Sequence, residues 1–274
     1  MTINCKGQLI DISTPKVMGI LNVTPDSFHD GGQYKDESSI LNQVETMLTE
    51  GATFIDVGGY SSRPGADYVT ETEELIRVIP VIQLILNHFP ETYISVDTFR
   101  SKVAKQSIDA GAALINDISA GQLDVQMINT VGQLGVPYIM MHMRGNPKTM
   151  QEQTDYDDLI KDINFYFAER IAEAHAAKIN DIIIDPGFGF AKTLEQNYQL
   201  LNQLELLGIV GKPILAGLSR KSMIYKTLDS TSTDALNGTT ALHMIALEKG
   251  SKILRVHDVK EAMECVTLFN KLHA

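Results

Sequence analysis

The 274-residue sequence predicts an α/β fold: a closed (β/α)8 TIM barrel preceded by a short N-terminal hairpin. Three observations predict it. Eight apolar, β-rich runs alternate with eight stretches whose apolar residues recur at three and four, the spacing of a helix with one buried face. The runs are apolar almost without interruption, as strands of a parallel sheet covered on both sides must be. The Gly-x-Gly-x-x-Gly fingerprint of an open doubly wound sheet is missing after the first run.

The elements follow in order. Ile3, Leu9 and Ile10 mark a small hairpin ahead of the barrel. Run 17–23 is the first barrel strand, and helix 39–50 follows with Ile40, Leu41, Val44, Met47 and Leu48 on one face. Asp30-Gly31, between them, resembles a hairpin turn, but a parallel strand needs a crossover, so 24–36 reads as a long loop. Run 54–57 leads through a second long loop, 58–70, into helix 70–88 with Leu75, Val78, Ile79, Ile82 and Ile85. Runs 93–96, 114–118, 137–141, 182–184, 214–218 and 253–256 then alternate with helices 101–110, 124–134, 157–178, 194–207, 234–249 and 260–272. Glu50-Gly51, Ala110-Gly111 and Lys249-Gly250 are helix stops. No linker or low-complexity stretch divides the chain, so residues 1–274 read as one domain.

Charge and composition narrow the function classes. The 23 Lys and Arg against 34 Asp and Glu give a formal net charge of −11, and no basic tract interrupts it, which argues against nucleic acid. No stretch is apolar for the roughly 18 residues of a membrane helix, and MTINCKGQLIDIS lacks the apolar core of a signal peptide. A cytoplasmic enzyme with no membrane contact is the expectation. Cys5 and Cys265 lie far apart and in no metal-binding spacing, so both read as packing thiols.

A barrel carries its site at the carboxyl ends of its strands. Those positions hold Asn22, Gly58-Gly59, Asp97, Asn116, His142, Asp185, residues 219–221, and Arg255 with His257. One such residue is ordinarily a cap or turn former, but seven of eight runs end this way, more than caps require. Asp97, Asn116 and Asp185 offer acceptors suited to a flat heterocycle rich in N–H groups, or a set of caps and salt bridges. Arg63, Lys221, Arg255 and His257 suit an anion, as do the backbone N–H groups after Gly217 and Ser219. The two long loops, rich in Gly and Pro, read as lids that exclude water.

Seven stretches carry a family resemblance: MGILNVTPDSFHDGG (18–32), DVGGYSSRPGA (56–66), SVDTFRS (95–101), IND (115–117), DPGFGFAKT (185–193), LAGLSRKS (215–222) and RVHDV (255–259). In this order, across nearly the whole chain, they resemble the dihydropteroate synthases. The resemblance implies a folate-pathway transferase that joins para-aminobenzoate to 7,8-dihydropterin-6-ylmethyl diphosphate, giving 7,8-dihydropteroate and diphosphate. It implies a homodimer, magnesium (Mg2+) as cofactor and sulfonamides as inhibitors. Position by position, Asp97, Asn116, Met140, Asp185, Gly217 and Lys221 would hold the pterin, with Arg255 stacked on its face. Asn22 would help to coordinate the magnesium, and Asn22, Arg63, Arg255 and His257 would surround the diphosphate. Phe28, Ser62, Arg63, Pro64, Phe190, Ser219 and Lys221 would frame the para-aminobenzoate, and Asp97, Lys221 and Arg255 would carry the catalytic role. Tyr60, Ser62 and His29 depart from the pattern, where many members have Glu, Thr and Ser.

The chemistry suits these groups. Diphosphate leaves readily once cations neutralise its developing charge, and the pterin-methyl cation it leaves behind is met by the arylamine, so no protein nucleophile is needed. Three other readings compete. A methyltetrahydrofolate:corrinoid methyltransferase would share the pterin pocket but has no use for the diphosphate cations. An aldolase using Lys221 as a Schiff base would be trapped by borohydride with its carbonyl substrate. A non-catalytic pterin binder would have no turnover to lose on Asp97→Ala.

Overall fold

The computed structural model describes residues 1–23, 33–60, 68–146 and 149–274. Strands β1 (Thr2–Cys5) and β2 (Gln8–Asp11) pair antiparallel around Lys6-Gly7, whose positive φ angles of 54° and 80° match the handedness of a two-residue hairpin turn. Eight parallel strands then close a barrel: β3 (Lys16–Asn22), β4 (Phe54–Gly58), β5 (Tyr93–Asp97), β6 (Leu114–Asp117), β7 (Tyr138–Met141), β8 (Ile182–Asp185), β9 (Ile214–Ala216) and β10 (Ser251–Val256). β10 pairs with both β9 and β3, which leaves no edge.

The helices are α1 (Gln33–Thr49), α2 (Glu71–His88), α3 (Ser101–Asp109), α4 (Met127–Leu134), α5 (Leu159–Ala176), α6 (Leu194–Asn202), α7 (Ser222–Thr227), α8 (Leu236–Glu248) and α9 (Val259–Leu272). Three differ from expectation. α1 begins at Gln33 rather than 39, across a polar stretch with no helical apolar pattern, and the expected helix 194–207 is α6 followed by a 3-10 segment, Leu204–Val210. β9 is followed by two helices, α7 and α8, where the sequence suggested one; six residues are too few for periodicity to declare.

The strand's period of two decides where the site goes. Met18, Phe54, Leu114, Ile139, Ile183, Leu215 and Ile253 form one cluster inside the barrel, against which Ile3, Cys5 and Ile12 of the N-terminal segment pack. The hairpin therefore plugs the amino end of the barrel, held also by Asn4 N donating to Asp181 Oδ2 at 2.8 Å and Tyr93 Oη donating to Gln8 Oε1 at 2.6 Å. Each fully buried Ile of this plug contributes on the order of 1.5–3 kcal/mol of transfer free energy. Two residues further along the same inward face, the chemistry changes. Phe54 gives way to Asp56, Leu114 to Asn116, Ile183 to Asp185, Leu215 to Gly217 and Ile253 to Arg255. One end of the interior is apolar and plugged, and the other is polar.

Candidate active site

Register gathers the mouth. Asn22 pairs with Gly58, Gly58 with Asp97 and Asp97 with Asn116, so four consecutive strands deliver their site residues at one level. Gly58 keeps the space between its neighbours clear. A Cβ on it would stand 3.4 Å from Asp97 Cβ and 3.8 Å from Asn22 Oδ1, filling the space between the two side chains.

Arg255, arriving from β10, is gripped by two carboxylates. Its Nε donates to Asp56 Oδ2 at 2.6 Å and its terminal NH2 group donates to Asp97 Oδ2 at 2.7 Å. Asn116 Nδ2 also donates to Asp56 Oδ2, at 3.1 Å. Asp56 is fully buried and its other oxygen, Oδ1, has no hydrogen-bond partner among the described residues. This residue is absent from the set read from the sequence, yet it is the hub that fixes both Arg255 and Asn116. Its position inside an apolar run hid it; counting in twos from Phe54 reveals it.

Across the mouth, Asp185 Oδ1 accepts from Gly187 N at 2.8 Å. Gly217 lies between Asp185 and Lys221: a Cβ there would be 3.9 Å from Asp185 Oδ2 and 3.8 Å from Lys221 Nζ. Lys221 Nζ donates to the Phe188 carbonyl and stands 4.9 Å from the centre of the Phe190 ring. His257 N donates to Ser219 Oγ at 3.1 Å, and that hydroxyl lies 3.0 Å from His257 Nδ1.

Burial and crowding tune the charges. Asp97 is pushed above the ordinary carboxylate range by burial; Arg255 opposes the shift, and the neighbouring Asp56 carboxylate, which shares that guanidinium, reinforces it. Burial raises Asp185 too, with Lys221 pulling it down. Lys221 is lowered by burial to about 8, against the attraction of Asp185. Burial works against the Arg255 charge, but Asp56 and Asp97 more than compensate and raise it.

Asn22, Asp97, Asn116, Asp185, Gly217, Ser219, Lys221, Arg255, His257 and Phe190 thus stand at the mouth or on the loops that border it. Met140 does not. It is buried in the layer between strands and helices, because the inward face at this level passes through Ile139 and then Met141. Met141 packs in the same cluster as Ile118, Met143 and Met150, with Phe190 against it. His142, expected at the mouth by its place after β7, is buried against Tyr166, its ring edge-on at 4.8 Å between centroids. Arg220 is also consumed elsewhere: its guanidinium holds Asp258 through two 2.8 Å bonds and the Ser232 and Thr233 carbonyls at 3.0 and 2.6 Å. Phe28, Ser62, Arg63 and Pro64, with His29, lie outside the described residues. Tyr60 is described, its ring edge-on to Phe99 at 5.3 Å.

Comparison with known proteins agrees with this geometry. Residues 18–257 match the family described as Pterin binding enzyme. The chain is 45% identical over 268 residues to the dihydropteroate synthase of Escherichia coli K12, covering 97% of this chain and 94% of that protein. It is 45% identical over 261 residues to the Haemophilus influenzae dihydropteroate synthase, covering 94% of each. Among solved structures it resembles the Yersinia pestis dihydropteroate synthase in a sulfonamide drug complex, with a TM-score of 0.93 and 44% identity over 100% of this chain and 99% of that one. The Xanthomonas albilineans dihydropteroate synthase with 4-aminobenzoic acid gives a TM-score of 0.91 and 38% identity, covering 100% of this chain and 98% of that one.

Proposed function

We propose, for a chain that belongs to the dihydropteroate synthase family of pterin-binding enzymes, how its own residues carry the family's reaction. The reaction is transfer of a 7,8-dihydropterin-6-ylmethyl group from diphosphate to the amine of para-aminobenzoate in folate biosynthesis. The observation that carries the assignment of roles is the double carboxylate grip on Arg255, set beside Asn116 and facing the Asp185 and Lys221 pair.

Asp97, Asn116 and Asp185 accept the N–H groups of the pterin edge. Because Asn116 spends its amide nitrogen on Asp56, its carbonyl oxygen is the end left to accept from a ligand. Gly217 supplies a floor without a side chain, and Met141, rather than Met140, supplies the apolar wall beside Phe190. Arg255, fixed at Nε, presents its guanidinium to the ring face and to the departing diphosphate, where His257 joins it. Asn22 offers one amide oxygen. Among the described residues no three His, Cys, Asp or Glu side chains gather as a metal cage. A single hard oxygen fits magnesium that arrives on diphosphate oxygens, where the ion would neutralise the leaving group's charge.

In the step itself the C–O bond between the pterin methylene and diphosphate breaks, with the electron pair leaving on diphosphate. The methylene cation is delocalised into the ring and faced by the Asp97 carboxylate. The arylamine nitrogen then forms the C–N bond and gives up a proton. Lys221 and Phe190, with Ser219, border the space where the arylamine enters, and Phe28, Ser62, Arg63 and Pro64 complete it in this reading. The sulfonamide complex of the Yersinia pestis relative supports sulfonamides as competitors for that space.

The same reading makes the protein a cytoplasmic homodimer. The free, buried Cys5 and Cys265 support the compartment, and exposed Ile245, Leu268 and Leu272 on α8 and α9 offer an apolar face for a second copy. No helix of the described residues is long and apolar enough to cross a membrane. The test is direct: incubation with the pterin diphosphate, para-aminobenzoate and magnesium should release diphosphate and form dihydropteroate, and Asp97→Ala should abolish both. Absence of diphosphate release from the wild-type chain would overturn the reading.

A further inference from the structure

Loop 186–193 joins β8 to α6 and brings Phe190 to the mouth. Its backbone is left-handed at Gly187, Gly189 and Ala191, with φ of 70°, 81° and 50°. Such a path has no helix or sheet ladder of its own, so its polar groups need partners from side chains. Asn197 Oδ1 accepts from Gly189 N at 2.7 Å, Phe190 N donates to Gly187 O at 3.1 Å, and Tyr156 Oη donates to Ala191 O at 2.8 Å. Two carbonyls of the loop also face one buried group. Lys192 Nζ lies 3.1 Å from Gly187 O, 3.0 Å from Phe190 O and 3.1 Å from His142 Nδ1.

An ammonium has three N–H donors and no acceptor. Three acceptors stand at hydrogen-bond distance, so the Lys192 head is saturated by the turn and by one imidazole nitrogen. No carboxylate of the described residues comes within ion-pair distance of it. A lysine that is only 4% exposed, and whose charge is directed at backbone carbonyls rather than at an anion, is placed for geometry. His142 is buried as well and is wedged against Tyr166, so it is a fixed anchor for the third donor.

We infer that Lys192 is a positioning residue for the second substrate: by tying Gly187 O and Phe190 O to His142 it holds turn 187–190 so that the Phe190 ring stands beside Lys221. The inference rests on the reading that Phe190 borders the arylamine. Burial lowers the Lys192 pKa to about 7, against the attraction of Asp185.

The test compares Lys192→Met and Lys192→Gln with Phe190→Ala, measuring kcat and both Michaelis constants in the magnesium-loaded enzyme and the inhibition constant of a sulfonamide. Lys192→Met should raise KM for para-aminobenzoate about tenfold, the loss of charge-assisted bonds to the turn. The sulfonamide constant should rise in parallel, while kcat and KM for the pterin diphosphate stay within about twofold. Lys192→Gln, which keeps two N–H donors, should fall between. An unchanged arylamine KM in Lys192→Met, alongside a raised one in Phe190→Ala, overturns the inference and leaves the reading of Phe190 standing. No effect in Phe190→Ala removes that reading and the inference with it. A rise in the pterin KM alone would mean that Lys192 acts by its charge on Asp185, and also overturns it. Should Lys192→Met fail to fold, His142→Leu removes a single acceptor and should raise the arylamine KM about threefold; no rise there counts against the inference.

Discussion

Asp56→Ala removes the acceptor that fixes Arg255 and Asn116 together. In the folded chain Asp56 is fully buried, and one of its oxygens takes both the 2.6 Å bond from Arg255 Nε and the 3.1 Å bond from Asn116 Nδ2. Removing one partner of a buried, hydrogen-bonded ion pair costs about 3–5 kcal/mol. Arg255 keeps its 2.7 Å bond to Asp97 and its side chain is 21% exposed, so the lower end applies. About 3 kcal/mol felt entirely in the transition state is a fall in kcat/KM of roughly 150-fold. Asp56→Asn keeps the shape and one accepting oxygen; replacing charged by neutral bonds costs about 1–1.5 kcal/mol, or roughly tenfold. The assay is diphosphate release at limiting pterin diphosphate, with urea denaturation of the same variants to separate lost stability from lost function. If Asp56→Ala stays within about threefold of wild type in kcat/KM, with an unchanged denaturation midpoint, the hub role of Asp56 is wrong.

Other predictions follow from the same geometry. Above a pH of about 8 Lys221 loses its proton, and below the raised range of Asp97 that carboxylate gains one, so kcat/KM for the pterin diphosphate should fall on both sides. Lys221→Arg should move the alkaline limb upward, and a wild-type profile flat well past pH 8 would exclude the assignment. Asn22→Ala should raise the magnesium concentration for half-maximal rate about tenfold, the loss of one oxygen ligand, while leaving affinity for a pterin lacking the diphosphate unchanged; an unaltered magnesium requirement would remove Asn22 from the metal. Gly132→Ala would place a Cβ 2.1 Å from the Ala177 carbonyl where α4 meets the end of α5. It should cost about 3 kcal/mol and lower Tm by roughly 5–10 °C, with kcat at 25 °C nearly unchanged; a Tm within 1 °C of wild type would show that the helices separate freely.

The barrel was legible because alternation and burial are local properties. Eight apolar runs became eight strands in the same order, since a parallel strand buried on both faces has no other way to be written. What failed was reading facing from position. The end of a run tells where a site is, but not which of two adjacent residues looks inward, so the sequence points to Met140 where the inward face runs through Met141. For the same reason Asp56, inside its run, went unread. His142 and Arg220 failed differently. Each sits at the right height, but each is consumed by partners distant in sequence: Lys192 fifty residues on for His142, and Asp258 for Arg220. No pattern within one strand-helix unit can announce that. Tyr60, with its ring against Phe99, departs from the family's common Glu without disturbing the residues that grip Arg255.

The two ends of the barrel divide stability and function between them. At the amino end the hairpin seals an interior of Met, Phe, Leu and Ile. At the carboxyl end the order is reversed. Two carboxylates share one guanidinium, Asp56 Oδ1 is buried without a donor, Asp185 is raised by burial, and Lys221 spends a donor on a backbone carbonyl. Each of these arrangements costs free energy by itself, and a ligand rich in N–H groups that also carries an anionic leaving group would relieve several at once. Groups held in place before the ligand arrives need no reorganisation as charge develops. The cost is tolerable because it is confined to one end of a structure whose other end is densely apolar. A chain that loosened the plug, for example through Ile12→Ala at its fully buried site, should therefore unfold more readily while its remaining folded molecules keep their affinity for the pterin.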